Sequence, residues 1–339
     1  MSDHPIRWGV IGAGDVVRRK SGRPLQTVDG SRWTAVYRRN ADAARQVARD
    51  FEVPRVHGSV DDLLDDPEVN AVYIATPPSS HADLAVRALE RGLDVYLEKP
   101  MARSAAEARR IAEAAEASSG RLVMAHYRRA LPAFEEAGTL LRDGAVGRPL
   151  FARIRIIQPS DSSIIASVDE NWRLDPAISG GGLFHDIAPH QLDLMARWFG
   201  PMTAGRGTAL VLDGPGPAPD YVAGTLRFRS GTAFDGLWSF CADSDRRSAD
   251  RCEVYGSEGR IGFSFYGDRL ELERGDQTEI RRFSNPDWIQ EPMIQRVVEH
   301  FRGRAENPCG AADGLETMRM MDVLAAVGGT DDQNVVKSP

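Results

Sequence analysis

The chain has 339 residues, a length that predicts about two domains. Its residues are 42% hydrophobic and 27% charged, and a formal net charge of −7 argues against general binding of nucleic acid phosphates. No apolar run reaches the roughly 18 residues of a membrane span, and the N-terminus lacks a basic-then-apolar leader. We therefore expect a cytoplasmic protein with no nucleic acid or membrane partner. Three scattered cysteines favour neither a disulfide framework nor a metal site.

A short apolar strand, Ile6 to Ile11, is followed at once by Gly12-Ala13-Gly14-Asp15-Val16-Val17. Gly12 permits a tight turn and Gly14 lets a pyrophosphate approach the backbone. The helix that opens at Asp15 and Val16 supplies N–H groups and the positive end of its dipole. The third fingerprint position, normally Gly or Ala, holds Val17. The stretch predicts a dinucleotide-binding turn with one departure from the pattern.

Strand-like and helix-like segments then alternate, which predicts a doubly wound parallel sheet, a Rossmann domain, over residues 1–126. The predicted strands are Trp33 to Tyr37, Ala71 to Ala75, Val95 to Leu97 and Leu122 to Ala125. The predicted helices are Ala41 to Asp50, Ser59 to Leu64, Ser79 to Arg91, Ser104 to Ala117 and Leu131 to Arg142.

The end of the second strand is the usual place for choosing between nicotinamide cofactors. A carboxylate there would bond the ribose 2′-hydroxyl, whereas an arginine can hold a 2′-phosphate. This chain has Tyr37-Arg38-Arg39-Asn40, with no carboxylate before Asp42. We predict NADP, with NAD as the alternative, and either Arg38 or Arg39 on the phosphate. Asn40 is a candidate cap for the next helix.

Two further turns fall at predicted strand ends, where ligands bind in open α/β sheets. Thr76-Pro77-Pro78-Ser79-Ser80-His81 follows one strand, and its start could line the nicotinamide half of a pocket. His81 is either a ligand contact or an ordinary residue of the first helical turn. Glu98-Lys99-Pro100 follows the next strand and is either a structural ion pair or a site for chemistry, with Lys99 donating to a substrate oxygen.

From Phe151 onward the pattern favours short strands separated by turns, an open and mostly antiparallel sheet with helices on one face. We predict an antiparallel meander, and a second domain over residues 127–339. A one-sided sheet must cover its apolar face, so we expect a homodimer or homotetramer built on it. The predicted strands are Phe151 to Ile157, Gly205 to Leu212, Tyr221 to Phe228, Thr232 to Phe240, Cys252 to Tyr255, Ile261 to Phe265 and Leu270 to Glu273.

A helix is predicted beyond Pro189, with the proline near its first turn, and Asp186 and His190 stand four residues apart on its polar stripe. A carboxylate at this spacing can orient an imidazole, as a general base requires. Three alternatives compete: Asp186 as a helix cap, His190 as a surface histidine, and His185 with His190 as half a metal site. The three glycines from Gly180 suggest backbone passing close to something, such as substrate.

Taken together, the four motifs resemble the glucose-fructose oxidoreductase, inositol dehydrogenase and MocA family. The resemblance implies a catalytic set of Lys99, Asp186 and His190. His190 would take the proton of a substrate hydroxyl, Lys99 would hydrogen-bond the same oxygen, and Asp186 would orient His190. Lys99 and His190 could exchange proton-transfer roles.

The residues and the resemblance together give a set of expected binding residues, and no metal is expected because the sequence shows no further cluster of ligands. Cofactor contacts are expected from Gly12, Gly14, Asp15, Val16, Arg38, Arg39, Thr76, Pro77, His81, Glu98 and Arg128, with Glu98 holding ribose or neighbouring backbone. Substrate contacts are expected from Lys99, Tyr127, Trp172, Arg173 and His190. The polar loop from Ser160 to Asn171 could line the pocket or be solvated. Val17, in place of a small residue, implies looser or shifted helix packing.

Two functions are weighed. The first is an NADP-dependent oxidoreductase that interconverts a secondary alcohol and a ketone on a sugar, cyclitol or related polyol. The alternative is a catalytically silent NADP-binding sensor or scaffold that keeps the fold. The complete Lys99, Asp186 and His190 set favours the enzyme.

Overall fold

The structure of the protein is a computed structural model that describes residues 4–162, 172–242 and 248–325. These residues divide into two compact units. The first comprises residues 4–102, 106–130 and 286–315, and the second comprises residues 103–105, 131–285 with the gaps, and 316–325. This division differs from a boundary at residue 126, because residues 286–315 pack with the N-terminal part of the chain.

The first unit is a six-stranded parallel sheet of order β3-β2-β1-β4-β5-β6. Its central strands are buried on both faces, as expected where helices cover both sides. The strands are β1 Ile6–Ile11, β2 Ser31–Tyr37, β3 Arg55–Val56, β4 Ala71–Ile74, β5 Asp94–Leu97 and β6 Leu122–Met124. The Rossmann prediction is confirmed.

Strand register in this sheet brings the predicted ligand-binding turns to one edge. Ile11 pairs with Tyr37 on one side and with Ile74 on the other. Ile74 pairs in turn with Leu97. Because the strands are parallel, the turns after β1, β2, β4 and β5 all leave the same, carboxyl-terminal edge.

The helices begin where the sequence supplies capping groups. The Asn40 side chain accepts the Ala43 N–H at 2.9 Å, as predicted, and Ser59 accepts the Asp62 N–H at 3.1 Å. The helices up to residue 117 are α1 Pro24–Thr27, α2 Ala41–Asp50, α3 Val60–Leu64, α4 His81–Glu90 and α5 Ala105–Ala117.

The second unit contains an eight-stranded sheet of order β14-β13-β12-β11-β7-β10-β9-β8. Its pairs are antiparallel except for β7 with β10, which run parallel, so the predicted meander is wrong at the centre although the mostly antiparallel class is confirmed. The strands are β7 Pro149–Ile157, β8 Met202–Leu210, β9 Tyr221–Phe228, β10 Ala233–Ser239, β11 Ala249–Gly256, β12 Arg260–Phe263, β13 Arg269–Arg274 and β14 Gln277–Arg282.

Helices cover one face of this sheet through aromatic contacts. The Phe184 ring lies edge-on to Trp238 of β10, with centroids 5.1 Å apart, and Phe134 meets Phe263 of β12 at 5.6 Å. The remaining helices are α6 Pro132–Arg142, α7 Pro176–Ser179, α8 Gly182–Phe199, α9 Glu291–Phe301 and α10 Ala311–Leu324. Helix α9 belongs to the first unit.

Candidate active site

The turn after β1 is shaped by two glycines with different surroundings. Gly12 has a φ of +86°, and a Cβ there would lie 2.5 Å from the Thr76 Cγ2 and 2.9 Å from the Thr76 backbone nitrogen. Its N–H donates to the Tyr37 carbonyl at 3.0 Å. Around Gly14, in contrast, the Gly12 carbonyl is the only atom of the described residues within 4 Å of a hypothetical Cβ. Gly12 therefore packs the turn against the segment that follows β4, and Gly14 leaves room beside the backbone.

The helix that follows the turn is widened where the valine replaces a small residue. Val17 is fully buried and begins a π-helical segment, Val17–Ser21, with the Gly22 N–H donating to its carbonyl at 2.7 Å. Asp15 is ion-paired with Arg19 at 2.7 Å, one turn along. The Val16 carbonyl lies 3.4 Å from the Ser21 hydroxyl.

At the end of β2 the two candidate arginines differ in environment. Arg38 is half-buried, and burial first, then the positive charge of Arg18, lowers the pKa of its guanidinium. Arg39 is exposed. Arg18 is ion-paired with Asp50, while none of the described carboxylates pairs with Arg38. These two neighbouring cations, of which only Arg18 has a carboxylate partner among the described residues, suit an additional anion.

The turn after β4 is braced by its histidine. His81 is fully buried, with Nδ1 2.9 Å from the Pro100 carbonyl oxygen and Nε2 2.8 Å from that of Thr76. Burial is the main effect and lowers the pKa of the ring. The Thr76 hydroxyl accepts from Ser80 at 2.7 Å. Both ring nitrogens of His81 thus contact the protein's own backbone, and Pro77 precedes the short 3₁₀ turn of residues 78–80.

The segment after β5 places Lys99 beside a buried carboxylate. Glu98 accepts hydrogen bonds from the Tyr73 hydroxyl at 2.6 Å and from the Gln290 amide at 2.7 Å through Oε1. Its Oε2 accepts the backbone N–H of Lys99 at 3.2 Å. Lys99 itself is half-buried, and the peptide to Pro100 is cis. Glu98 therefore holds neighbouring backbone, one of its two expected roles.

Residues 127–130 form a buried 3₁₀ turn in the first unit. The Arg128 guanidinium lies 5.7 Å from the centroid of the Tyr127 ring, and both residues are buried. Arg129 donates to the Pro308 carbonyl at 3.0 Å and pairs with Asp313 at 3.1 Å. The turn is thereby fixed to the late segment of the chain that returns to this unit.

In the second unit, Arg173 connects two of the predicted site residues. Its Nε donates to Asp186 Oδ2 at 2.8 Å, and its guanidinium carbon lies 4.5 Å from the centroid of the Trp172 ring. Arg173 is only 9% exposed, and its Nη1 makes no hydrogen bond with the described residues. A buried donor of this kind, next to Asp186, suits a polar ligand atom.

Helix α8 carries His185 and His190, the two histidines considered in the sequence. It begins at Gly182, so Pro189 lies inside it and not near its first turn as predicted. His190 and Asp193 are buried. Burial lowers the pKa of His185 to about 4, which leaves its ring neutral near pH 7. No group of three or more potential ligands among the described residues could hold a metal ion.

The three glycines before α8 approach protein atoms. A Cβ on Gly180 would lie 2.7 Å from the Arg103 carbonyl oxygen, one on Gly181 would overlap the His185 ring, and one on Gly182 would lie 2.6 Å from Ala218. The substrate suggested by these glycines is not needed to explain them. Most of the Ser160 to Asn171 loop, residues 163–171, lies outside the described residues.

Of two further residues with a place in this arrangement, one could be anticipated from the sequence and the other could not. The basic run Arg18-Arg19-Lys20 stands out against the acidic composition, either as a solvated helix face or where a phosphate could bind. Gln290 had no local signal at all, because its contact with Glu98 joins residues 192 positions apart.

None of the described helices is long and apolar enough to cross a membrane.

Both parts of the chain match a known family of proteins. Residues 6–126 match the model of an oxidoreductase family with an NAD-binding Rossmann fold, and residues 134–262 match that of the GFO/IDH/MocA C-terminal domain. The chain is 38% identical over 320 residues to oxidoreductase P35 of Formosa agariphila, covering 94% of this chain and 98% of that one. It is 30% identical to a levoglucosan dehydrogenase of Pseudarthrobacter phenanthrenivorans over 72% of this chain and 68% of that one.

A solved structure shares the fold over nearly the whole chain. Levoglucosan dehydrogenase in complex with NADH and levoglucosan superposes with a TM-score of 0.82 at 23% identity, covering 95% of this chain and 96% of that one. The chain therefore belongs to the GFO/IDH/MocA oxidoreductase family. It is an enzyme of the NAD(P)-dependent dehydrogenase and reductase class.

The first unit fits a nicotinamide cofactor by its own structure. The space beside Gly14 admits a phosphate close to the backbone, and the half-buried Arg38 offers a cation at the end of β2. The turns at Thr76 and Lys99 leave the same sheet edge. The space beside Gly14 suits the pyrophosphate of a nicotinamide cofactor, and the turns at Thr76 and Lys99 suit its nicotinamide half.

Proposed function

We propose that the protein is an NADP-preferring oxidoreductase that interconverts a secondary alcohol and a ketone on a sugar, cyclitol or related polyol. The observation that carries the proposal is Lys99, an amine at the carboxyl end of β5 whose backbone is held by Glu98. The polyol class is supported by the family relative named levoglucosan dehydrogenase, since levoglucosan is an anhydro sugar. When bound, the cofactor supplies or accepts the hydride.

The preference for NADP rests on Arg38. A 2′-phosphate brings two negative charges and three acceptor oxygens, which a desolvated guanidinium beside a second cation binds well. Arg38 has this environment, with Arg18 as its neighbour, whereas Arg39 is exposed. We assign the phosphate contact to Arg38, supported by Arg18.

The proton chemistry is assigned to residues of α8 and of the segment that follows β5. His190 takes the proton of the substrate hydroxyl during oxidation and returns it during reduction. Lys99 donates a hydrogen bond to the same oxygen and stabilises its developing charge. Asp186 orients His190, and the ion pair with Arg173 fixes the carboxylate of Asp186. The buried Nη1 of Arg173 and the Trp172 ring contact the polyol, together with Tyr127.

A cofactor and substrate screen tests this function. Sugars and inositols are added to the purified protein with NADP+ or NAD+ in parallel, and absorbance of the reduced cofactor is followed. We expect turnover with at least one polyol and a higher kcat/KM for NADP+. Replacing Lys99 or His190 by alanine should lower kcat by about 10²- to 10⁴-fold with nearly unchanged cofactor affinity.

Two outcomes would contradict the proposal. Wild-type turnover in both alanine variants would remove Lys99 and His190 from the chemistry. Silence across the whole panel, combined with tight NADP binding, would indicate the sensor or scaffold alternative.

A further inference from the structure

A buried carboxylate in the first unit is held by a cluster of polar side chains that the proposed chemistry does not use. One oxygen of Glu98 accepts hydrogen bonds from the Tyr73 hydroxyl at 2.6 Å and from the Gln290 amide at 2.7 Å. The other oxygen accepts the backbone N–H of Lys99 at 3.2 Å. A carboxylate removed from water is costly unless such donors replace its hydration. The orientation of Glu98 therefore depends on these three bonds.

The amide of Gln290 can take only one orientation in this cluster. Glu98 can only accept hydrogen bonds while it is ionised, so the Gln290 NH₂ must face it. The Gln290 oxygen then accepts from the Tyr96 hydroxyl at 2.9 Å, and the backbone N–H of Gln290 donates to the Lys20 carbonyl at 3.1 Å. With no exposed surface, the side chain has no water to exchange for these partners.

Gln290 reaches Glu98 from a distant part of the chain. It immediately precedes α9, whose buried face includes Met293, Ile294 and Val297. The same carboxylate that Gln290 binds also accepts the N–H of Lys99. Two hydrogen bonds, one from Gln290 to Glu98 and one from the Lys99 N–H to Glu98, thus connect the start of α9 to the backbone of Lys99.

We propose that Gln290 is a positioning residue for Lys99, acting through the carboxylate of Glu98. This inference depends on the proposed catalytic role of Lys99. Without the Gln290 amide, Oε1 of Glu98 keeps the hydrogen bond from Tyr73 but loses the second hydrogen bond that fixes the orientation of the carboxylate. The Glu98 bond to the Lys99 N–H weakens, and the Lys99 side chain samples orientations that do not reach the substrate oxygen.

The kinetic test replaces Gln290 by leucine, which has a similar volume and no hydrogen-bonding group. With the polyol found in the screen, Gln290→Leu should lower kcat at least tenfold and leave the dissociation constant of NADP+ within about twofold of wild type. The matched control is Ser21→Ala. It removes the 3.2 Å bond from Ser21 to the Tyr73 hydroxyl in the same cluster, but none of the donors to Glu98. It should keep wild-type kcat within about twofold.

A second variant gives a pH readout that a purely structural role would not move. In Gln290→Glu, the introduced carboxyl group can donate to Glu98 while it is protonated, whereas its ionised form cannot donate and repels Glu98. The ratio of the variant's kcat to that of wild type should therefore rise as the pH is lowered. A flat ratio, a wild-type kcat in folded Gln290→Leu, or an equal loss in Ser21→Ala would each overturn the proposal.

Amide hydrogen exchange separates this inference from the proposed function, since it needs no turnover. In the cofactor-free protein, the peptide containing the Lys99 N–H should exchange at least tenfold faster in Gln290→Leu than in wild type, and at the wild-type rate in Ser21→Ala. Equal protection in Gln290→Leu and wild type would overturn the positioning role whether or not any substrate had been found.

Discussion

In the proposed function, Arg38 is the side chain that distinguishes NADP from NAD. Its guanidinium is half-buried beside Arg18, and burial together with that like charge lowers its pKa. A bound anion would therefore stabilise the charged form of Arg38. NAD has a hydroxyl where NADP has a phosphate, and a hydroxyl does little for this charge. The difference between the two cofactors should therefore reside mainly in Arg38.

Replacing Arg38 by methionine tests this at the residue scale. A hydrogen bond to a charged group contributes about 1.5–3 kcal/mol, so the dissociation constant of NADPH should rise about 10- to 100-fold and that of NADH should change little. Fluorescence titration of the two reduced cofactors measures both constants. Arg39→Met is the matched control and should bind both like wild type. A larger loss in Arg39→Met would move the phosphate contact to that residue.

The turn between β1 and its helix is an element in which two glycines have separable roles. Gly12 has a positive φ and would clash with Thr76 if it carried a Cβ, whereas a Cβ on Gly14 would meet no atom of the described residues closer than 3.8 Å. Gly12 is thus required by the fold, and we propose that Gly14 serves the cofactor that approaches the backbone.

Alanine at each position distinguishes the two roles. Gly12→Ala should destabilise the protein by about 1–3 kcal/mol from backbone strain alone, measured by urea unfolding. Gly14→Ala should unfold at the wild-type urea concentration yet bind NADPH at least tenfold more weakly, because its methyl group takes the space of a phosphate. Undiminished NADPH affinity in Gly14→Ala would show that the cofactor does not approach this backbone.

Elements with strong local signals were predictable, and those fixed by distant contacts were not. The bounds Ala41–Asp50 of α2 match the prediction because Asn40 supplies a cap and the apolar positions repeat at helical spacing. The strand Arg55–Val56 was not predicted, because both of its residues are exposed at a sheet edge and show no apolar pattern. The parallel pairing of β7 with β10 escaped because tertiary structure alone decides it.

The same distinction holds for the candidate site. Gly12, Lys99 and His190 stand in recognisable motifs, so the sequence alone could name them as candidate site residues. The support around them could not: Arg173 on Asp186 and Gln290 on Glu98 are side-chain contacts with no sequence pattern of their own. Pro189 was misplaced because the helix begins earlier, among glycines that favour no helix by themselves.

At the scale of the whole molecule, the sheet face of the second unit that α6 and α8 leave uncovered remains to be explained. Along β7, Ala152, Ile154 and Ile156 are buried, while Phe151 and Arg153 point the other way. Phe151 is 37% exposed, and its ring stacks on that of Tyr255 in the adjacent strand with centroids 4.4 Å apart. A two-fold interface would set this patch against its own copy, which aromatic rings and paired charges such as Arg153 and Asp235 can accommodate.

We expect the protein to be a homodimer or homotetramer through this face. Phe151→Glu would place a carboxylate in the interface, and at micromolar concentration light scattering should show a shift toward the monomer. Its Tm should also lose any dependence on protein concentration, since folding is then no longer coupled to association. The matched control is Leu212→Glu, which alters a side chain that is 57% exposed beyond the end of β8 and should keep the wild-type mass. A monomeric wild type, or an unchanged oligomer in Phe151→Glu, would show that the chain does not assemble through this face.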